Sequence, residues 1–453
     1  MDRRTLLTGA SAALLARYAE AQPVPLGGPA GANQKLGPGP LGSGGPSLSL
    51  SFMNPGILDP RLTFARVSTA TYFDSGGVMR TAAANTPRWD YDPATLALRG
   101  VLIEESRTNL IFPSVIGGVR WVSNGLLLGG SVTTPDGVVS TTALLNANDT
   151  TNSARTIDNS GNAIIGSTAY TASVYFKKNA TNAFIQILTT GGANAASVAY
   201  FDLTAGTGIV GADLIAGHTN KSVTITLGAN GWYRATYTIT SVAGNNGLNV
   251  YYGPCMVISP TGDNRAYVGV VGQGVYAWGG QVEQGSFATS HIPTTSVGIV
   301  RGIDTCSMPT SVGWFNNDTF TIEEEITGVS VGWAGGAFAG LFDGGVTYFY
   351  LAIEGPLTTS FALSGFGGIG GGPPITRGVS KMAGAFSKNR MALAANGSAP
   401  AVNTSPTPVV PPMVRMAFGN DPWSLTTAGN LCVRKVNLWP RAMPDAELTA
   451  VTT

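Results

Sequence analysis

Between residues 113 and 298, seven short stretches with alternating apolar positions follow one another, at 170–176, 184–188, 198–203, 222–227, 232–239, 248–252 and 275–282. Asn-Gly and Gly-rich turns separate them. Side chains on a strand alternate between its two faces, so each stretch has a face to bury. Many short strands at regular spacing, with turn signals between them, predict a β-sandwich. The last stretch shows the pattern best. Tyr276, Trp278 and Gly280 alternate with Ala277, Gly279 and Gln281, which puts two large rings on one face. Gly285 then breaks the strand, and Pro293 keeps the chain out of a central ladder. Trp232 and Trp278 each belong to a strand and are read as core.

The rest of the composition agrees with an all-β chain. Charged residues make up 11% of it, against about a quarter in ordinary globular proteins. Glycine supplies 61 of 453 residues, which suits many tight turns. At this length one core is too few, and two or three domains are expected. The net charge of +1 leaves no electrostatic footprint for nucleic acid or an anionic membrane. An uncharged, aromatic-bearing surface suits uncharged polar ligands such as sugars. The three cysteines, Cys255, Cys306 and Cys432, form no CxxC pair, so neither a metal site nor a cofactor is read. Cys306 and Cys432 could meet if the first and last strands of a second sandwich are neighbours; the plainer reading is free buried thiols. Two histidines, His218 and His291, leave little for histidine catalysis.

Five segments follow from punctuation along the chain. Residues 1–21 carry Arg3 and Arg4, an apolar run from Thr5 to Ala16 and an Ala19-Glu20-Ala21 cleavage pattern, and resemble a twin-arginine export signal. The alternative is an arm that stays attached and docks the protein on a larger particle. The run is too short to span a membrane. Residues 22–47 are a Pro/Gly-rich linker. Residues 48–112 are short strands broken by turns, including a hairpin turn at Asp74-Ser75-Gly76-Gly77 between strands at 69–73 and 78–81. Residues 113–298 are the first sandwich and 299–453 a second, with strands opening at Phe320, at 348–353 and at 433–438. Asp445 is read as the N-cap of a closing helix. No repeat of 20–50 residues marks a solenoid.

The wording of several segments adds a resemblance. LTFARVSTATYFDSGG, PRWDYDP and RGVLIEESRTNL look like a leader that precedes carbohydrate-binding-like modules of phage structural proteins. TPDG from Thr134, NGWYR from Asn230 and YAWGGQVEQGSFATSHIPT from Tyr276 resemble the module itself, a jelly roll of head-spike and tail-fibre proteins. The ending WPRAMPDAEL from Trp439 resembles the last strand and short helix of concanavalin-like, laminin-G-like lectin domains. The resemblance implies an all-β fold of two antiparallel sandwiches, jelly-roll then concanavalin-like, after an irregular N-terminal arm. It implies a virion structural protein, a head spike or tail fibre, that binds host capsule or lipopolysaccharide glycans and meets other virion proteins through its N-terminal region. Homo-oligomerisation, trimeric as in many fibres, is likewise implied, as is a place on the virion surface. Export through the twin-arginine route, as a non-viral lectin-like protein, is the alternative.

Residues with the right chemistry for catalysis are few. Glu323 and Glu325 share a strand face about 7 Å apart, a spacing that suits paired carboxylates of glycosidases. The Glu-Glu-Glu-Ile pattern departs from that of glucanases with this fold, and a charged solvated face is the preferred reading. Glu105 is expected to pair locally with Arg107 or Arg99. No GxSxG occurs. The string SGFGGIGGGPP from Ser364 carries Pro373 and Pro374 and no following helix, so it is a loop and not a phosphate cradle. No catalytic residue and no metal ligand is assigned, and the chain is expected not to be an enzyme, with a secreted polysaccharide-degrading enzyme as the alternative. Sugar recognition needs exposed aromatic faces beside amide and carboxylate hydrogen-bonders. Trp333, Tyr348, Tyr350 and Trp423 are the aromatic candidates, with Asp343, Asn420 and Asp421 as the polar ones.

Overall fold

All seven strands expected between 113 and 298 form, at Ala169–Asn179, Phe184–Gly191, Ala195–Asp202, Thr219–Leu227, Trp232–Thr240, Gly247–Pro254 and Gln273–Gln284. The computed structural model describes residues 44–140, 144–147, 153–154, 156–179, 183–191, 195–258, 260, 264, 266–270, 273–310, 314–328, 336–354, 357–364, 367–405 and 409–453. The signal or docking arm at 1–21 and most of the 22–47 linker lie outside these residues. The described fold is all-β apart from one short helix at the end and one 3-10 turn. Among the described residues, no helix is long and apolar enough to cross a membrane.

The first sandwich is two six-stranded antiparallel sheets. One runs in the order Thr219–Leu227, Trp232–Thr240, Ala169–Asn179, Gln273–Gln284, Leu144–Ala147, Leu126–Gly129. The other runs Thr207–Val210, Ala195–Asp202, Phe184–Gly191, Gly247–Pro254, Thr156–Ala163, Trp121–Asn124. Val174, Phe176, Tyr237 and Ile239 from the first meet Ile185, Ile187, Phe201 and Val250 from the second. Full burial of such a side chain stabilises by about 1.5–3 kcal/mol.

Trp278 is buried, as expected, but not in this core. Val275 and Ala277 face inward, so alternation sends Tyr276 and Trp278 to the outer face. The hairpin of Ala70–Phe73 and Met79–Ala82 covers them there: Met79 packs against Tyr175, Trp232 and Trp278. Gly279, with a positive φ of 69°, lies at a register shift that returns Val282 to the inward face.

The second sandwich is where the leader belongs. One sheet runs Ala401–Asn403, Arg390–Ala395, Ser380–Ser387, Thr319–Thr327, Leu431–Trp439, Leu98–Ile103, Trp89–Tyr91. Leu48–Ser51 pairs with the same strand, Leu431–Trp439, at Lys435 to Leu438, while Leu98–Ile103 pairs with it at Leu431 to Val433. The facing sheet runs Thr63–Ala65, Thr305–Pro309, Arg415–Phe418, Gly336–Phe342, Tyr348–Glu354, Thr358–Leu363, Gly367–Ile369. Residues 48–103 thus supply four strands to a sandwich whose remaining strands begin at Thr305. Their apolar residues Leu48, Leu50, Val101 and Ile103 are part of its core, beside Phe320, Phe349 and Phe418.

The closing helix spans Asp445–Val451. Pro444 occupies its N-cap, and Asp445 stands in the first turn and pairs with Arg390, so the N-cap assignment of Asp445 is corrected. Ala383, Ala385, Ala392 and Ala394 make a shallow outer face on which Leu448 seats the helix. Cys255, Cys306 and Cys432 are all free and buried. Burial pushes the Cys306 thiol up to about 12, and the other two are raised by the same cause.

Candidate functional site

On the strand Tyr348–Glu354, Phe349 and Leu351 are core residues. Period two therefore turns Tyr348 and Tyr350 to the outer face, where their rings stand 5.9 Å apart. Trp423, carried in by the loop after Arg415–Phe418, lies on Tyr348 with ring centroids 4.4 Å apart and planes 32° from parallel. Trp423 is 40% exposed, a large value for a tryptophan that already packs on a neighbour. Three of the four aromatic candidates thus form one continuous platform. Trp333 lies outside the described residues.

The loop behind Trp423 is rigidly held. The buried Asp421 carboxylate accepts from the Ser424 N–H (2.8 Å), the Leu425 N–H (2.9 Å), the Thr427 N–H (2.6 Å) and the Ser424 and Thr427 hydroxyls. Burial raises its pKa, but the Ser424 and Thr427 donors outweigh burial and lower it. Asn420, fully buried, accepts from the Cys306 N–H (3.0 Å) and donates to the Asp304 carbonyl (2.8 Å). Arg415 donates to the carbonyls of Pro422 and Trp423. Pro422 rests on Gly340, where a Cβ would come within 2.5 Å of the proline ring. Asn420 and Asp421 are therefore corrected as ligand-contacting candidates: the Asn420 amide ties the start of the loop to the Asp304–Cys306 backbone, and the Asp421 carboxylate is spent inside the loop that carries Trp423. Asp343 has a similar task, accepting from the N–H groups of Gly345 (2.7 Å) and Thr347 (3.0 Å) in the turn that leads into Tyr348.

Beside the two tyrosines opens a cleft of about 380 Å³. Its floor is made of small or apolar groups, among them Ala362, Ser364, Gly368 and Ile369. Gly368 is required there, because a Cβ would meet Ala362 Cβ at 2.4 Å.

The Glu323-Glu324-Glu325 strand offers no open carboxylate pair. Glu323 is buried and accepts from the Asn437 amide (2.6 Å), and Glu325 pairs with Arg434 (2.6 Å). The solvated face read from the sequence is instead a covered one. Glu324 points inward, on the side of Phe320, Ile322 and Ile326, and neither of its oxygens has a partner. Burial raises its pKa well above the ordinary carboxylate value.

One cluster of buried charges was not legible as a unit. Asp304 accepts from Arg66 (2.8 Å), from Arg88 and from the Glu104 N–H (3.0 Å). Glu104 pairs with Arg88 (2.8 Å) and with Arg301, and accepts from the Ser290 N–H and hydroxyl, each at 2.7 Å. All five charged side chains are buried. Burial raises the Glu104 carboxyl, but Arg301 and Arg88 outweigh it and hold the group at about 2. Glu105, as expected, bonds Arg107 (2.7 Å). A pocket of about 150 Å³ adjoins the cluster, lined by Asp90, Arg99, Glu104, Arg234 and His291. Its charged groups are committed to one another or to backbone: Arg99 to Asp90 and Arg234 to the Thr289 carbonyl. His291, buried against Trp278 at 4.8 Å, is pushed down to about 3 by burial and stays neutral.

No protein-family model matches the chain, and no curated protein matches its sequence. Among solved structures, the CBM40 module of Ruminococcus gnavus IT-sialidase is similar over 30% of this chain and 84% of its own, at 16% identity and a TM-score of 0.26. That module has also been solved bound to α2,3-sialyllactose, with 15% identity, the same two coverages and a TM-score of 0.26. Trypanosoma rangeli sialidase in complex with sialic acid is similar over 75% of this chain and 61% of its own, at 12% identity and a TM-score of 0.28. Likeness at this level carries no argument about a reaction or a ligand here. The expectation that the chain is not an enzyme is corrected to this extent: a sialidase stands among the similar structures, and no activity is assigned to this chain from it.

Proposed function

We propose that the chain is a glycan-binding protein whose ligand rests on the Tyr348–Tyr350–Trp423 platform. The observation that carries this is the stacking of Trp423 on Tyr348 at 4.4 Å, on a loop locked from behind and beside an open cleft. Ring faces attract sugar C–H faces, and a held ring loses little freedom on binding. The finer reading is a virion structural protein, a head spike or tail fibre, that binds host-surface capsule or lipopolysaccharide. Its support is the wording of the leader and of the Tyr276–Thr294 segment. Weak single-site contacts would be strengthened by many copies on one particle. Export as a lectin-like surface protein is the competing location.

The test is a pull-down of purified protein on isolated capsule and lipopolysaccharide, followed by sizing of the polysaccharide. Retention that Trp423→Ala abolishes supports the platform. Retention with shortened polymer identifies a polysaccharide-degrading enzyme. No retention on any surface glycan overturns the reading. Recovery of the chain as a stoichiometric particle component, against recovery in the culture fluid, separates the virion from the exported protein.

A further inference from the structure

The chemistry of the cleft says more about its ligand than the platform alone. Among the described residues that line it there is no charged side chain: the walls are Tyr348 and Tyr350, and the floor is Ala362, Leu363, Ser364 and a run of glycines. The guanidinium of Arg415, on the strand before the platform loop, is turned to the carbonyls of Pro422 and Trp423 and packs 5.1 Å from the Phe342 ring. The nearby carboxylates are also committed: Asp343 to its own turn, and Asp421 to the loop behind Trp423. The platform continues into exposed aliphatic groups, Val346 in the turn before Tyr348 and Val414 beside it. A sugar carboxylate, sulfate or phosphate placed against these walls would give up part of its water and gain no cation from the residues that line them, which costs affinity. A hydroxylated but uncharged ring meets aromatic faces, peptide groups and the oxygen of Ser364, whose proton is given to the Val346 carbonyl (2.9 Å) and which can still accept, and leaves no charge unpaired.

We infer that this site takes uncharged glycans, chains of neutral hexoses, and discriminates against acidic ones. The inference rests on the proposed glycan-binding function and adds the ligand class to it. The discrimination is an exclusion: selectivity arises because the wrong ligand strands a charge, not because the right one gains a special contact. Binding at such a site depends little on ionic strength, since no ion pair forms.

The experiment compares full-length protein with Trp423→Ala and Tyr350→Ala on immobilised neutral polymers (dextran, mannan, galactan) and acidic ones (polysialic acid, alginate), in low and in high salt. The expected result is retention on at least one neutral polymer and none on the acidic ones. That retention should change less than about twofold with salt and fall at least tenfold in either variant. Retention on acidic polymers that the two variants abolish would overturn the neutral class and leave the glycan-binding function standing. Retention indifferent to both substitutions would overturn the site itself. Absence of binding to every polymer would overturn the function and the inference together. The circular dichroism spectrum and melting temperature of each variant, compared with the parent, separate a lost contact from a lost fold.

Discussion

Glu104 and Arg301, 197 residues apart in the chain, are joined in an ion pair with both side chains buried. The first belongs to the leader and the second to the segment that leads from one sandwich to the next. Ser290, from the exit of the closing strand, donates to both oxygens of the same carboxylate. One acid thus ties together three parts of the chain that the sequence presents as separate.

Removing one partner of such a pair strands a charge. Arg301→Met and Glu104→Gln should each destabilise by about 3–5 kcal/mol. The double variant should lose less than the sum, with an interaction of about 0.5–3 kcal/mol. Chemical denaturation of the four proteins measures this. Additive losses would show that the pair does not couple.

The same carboxyl sets an acid limit. Its folded value, about 2, lies below the unfolded value of about 4.3. The unfolded chain therefore binds the proton first on acidification. The contribution is complete above about pH 5 and is lost as pH falls through about 4 towards 2. Melting temperature against pH should fall steeply in that window, and less steeply in Glu104→Gln.

Glu324 acts in the opposite direction. Its folded value is raised by burial, so the folded chain holds the proton while the unfolded chain releases it. Stability is highest, as far as this group is concerned, below about pH 4.3 and declines as pH rises towards the raised value. Glu324→Leu should stabilise at neutral pH by about 1–3 kcal/mol, because two unpartnered oxygens leave the core. It should also flatten the decline. A destabilised Glu324→Leu protein would mean that the carboxyl has a stabilising role that its surroundings do not show.

Asp421 separates positioning from contact. Asp421→Ala leaves the Ser424 and Thr427 donors without an acceptor and frees the Trp423 loop. Glycan affinity should fall by about tenfold, and Trp423 should become more accessible to a fluorescence quencher. Trp423→Ala should lose the affinity with little change in melting temperature, since that ring is partly exposed. Unchanged quenching in Asp421→Ala would show that the loop holds itself.

The all-β class, seven of the twelve described strands of the first sandwich and the outward side of Tyr348 and Tyr350 were legible because alternation and turn chemistry are local. Phe349 and Leu351 in the core oblige Tyr348 and Tyr350 to face outward, and that follows from four consecutive residues. The place of Trp423 on Tyr348 does not, because the two are brought together by pairing between non-adjacent strands. The inward turn of Glu324 likewise needed the register of its strand, since an Glu-Glu-Glu run reads the same on either face.

The sequence alone determined the all-β class, the position of seven strands of the first sandwich to within a few residues and how little charge the chain carries. Tertiary structure alone decided that the leader completes the second sandwich, that Met79 roofs Trp278, and that Asp421 serves a loop and not a ligand. The reason is physical. Strand period and turn type are set by neighbouring residues, whereas sheet order and ion pairing are set by which distant segments bury each other, and no local pattern records that choice.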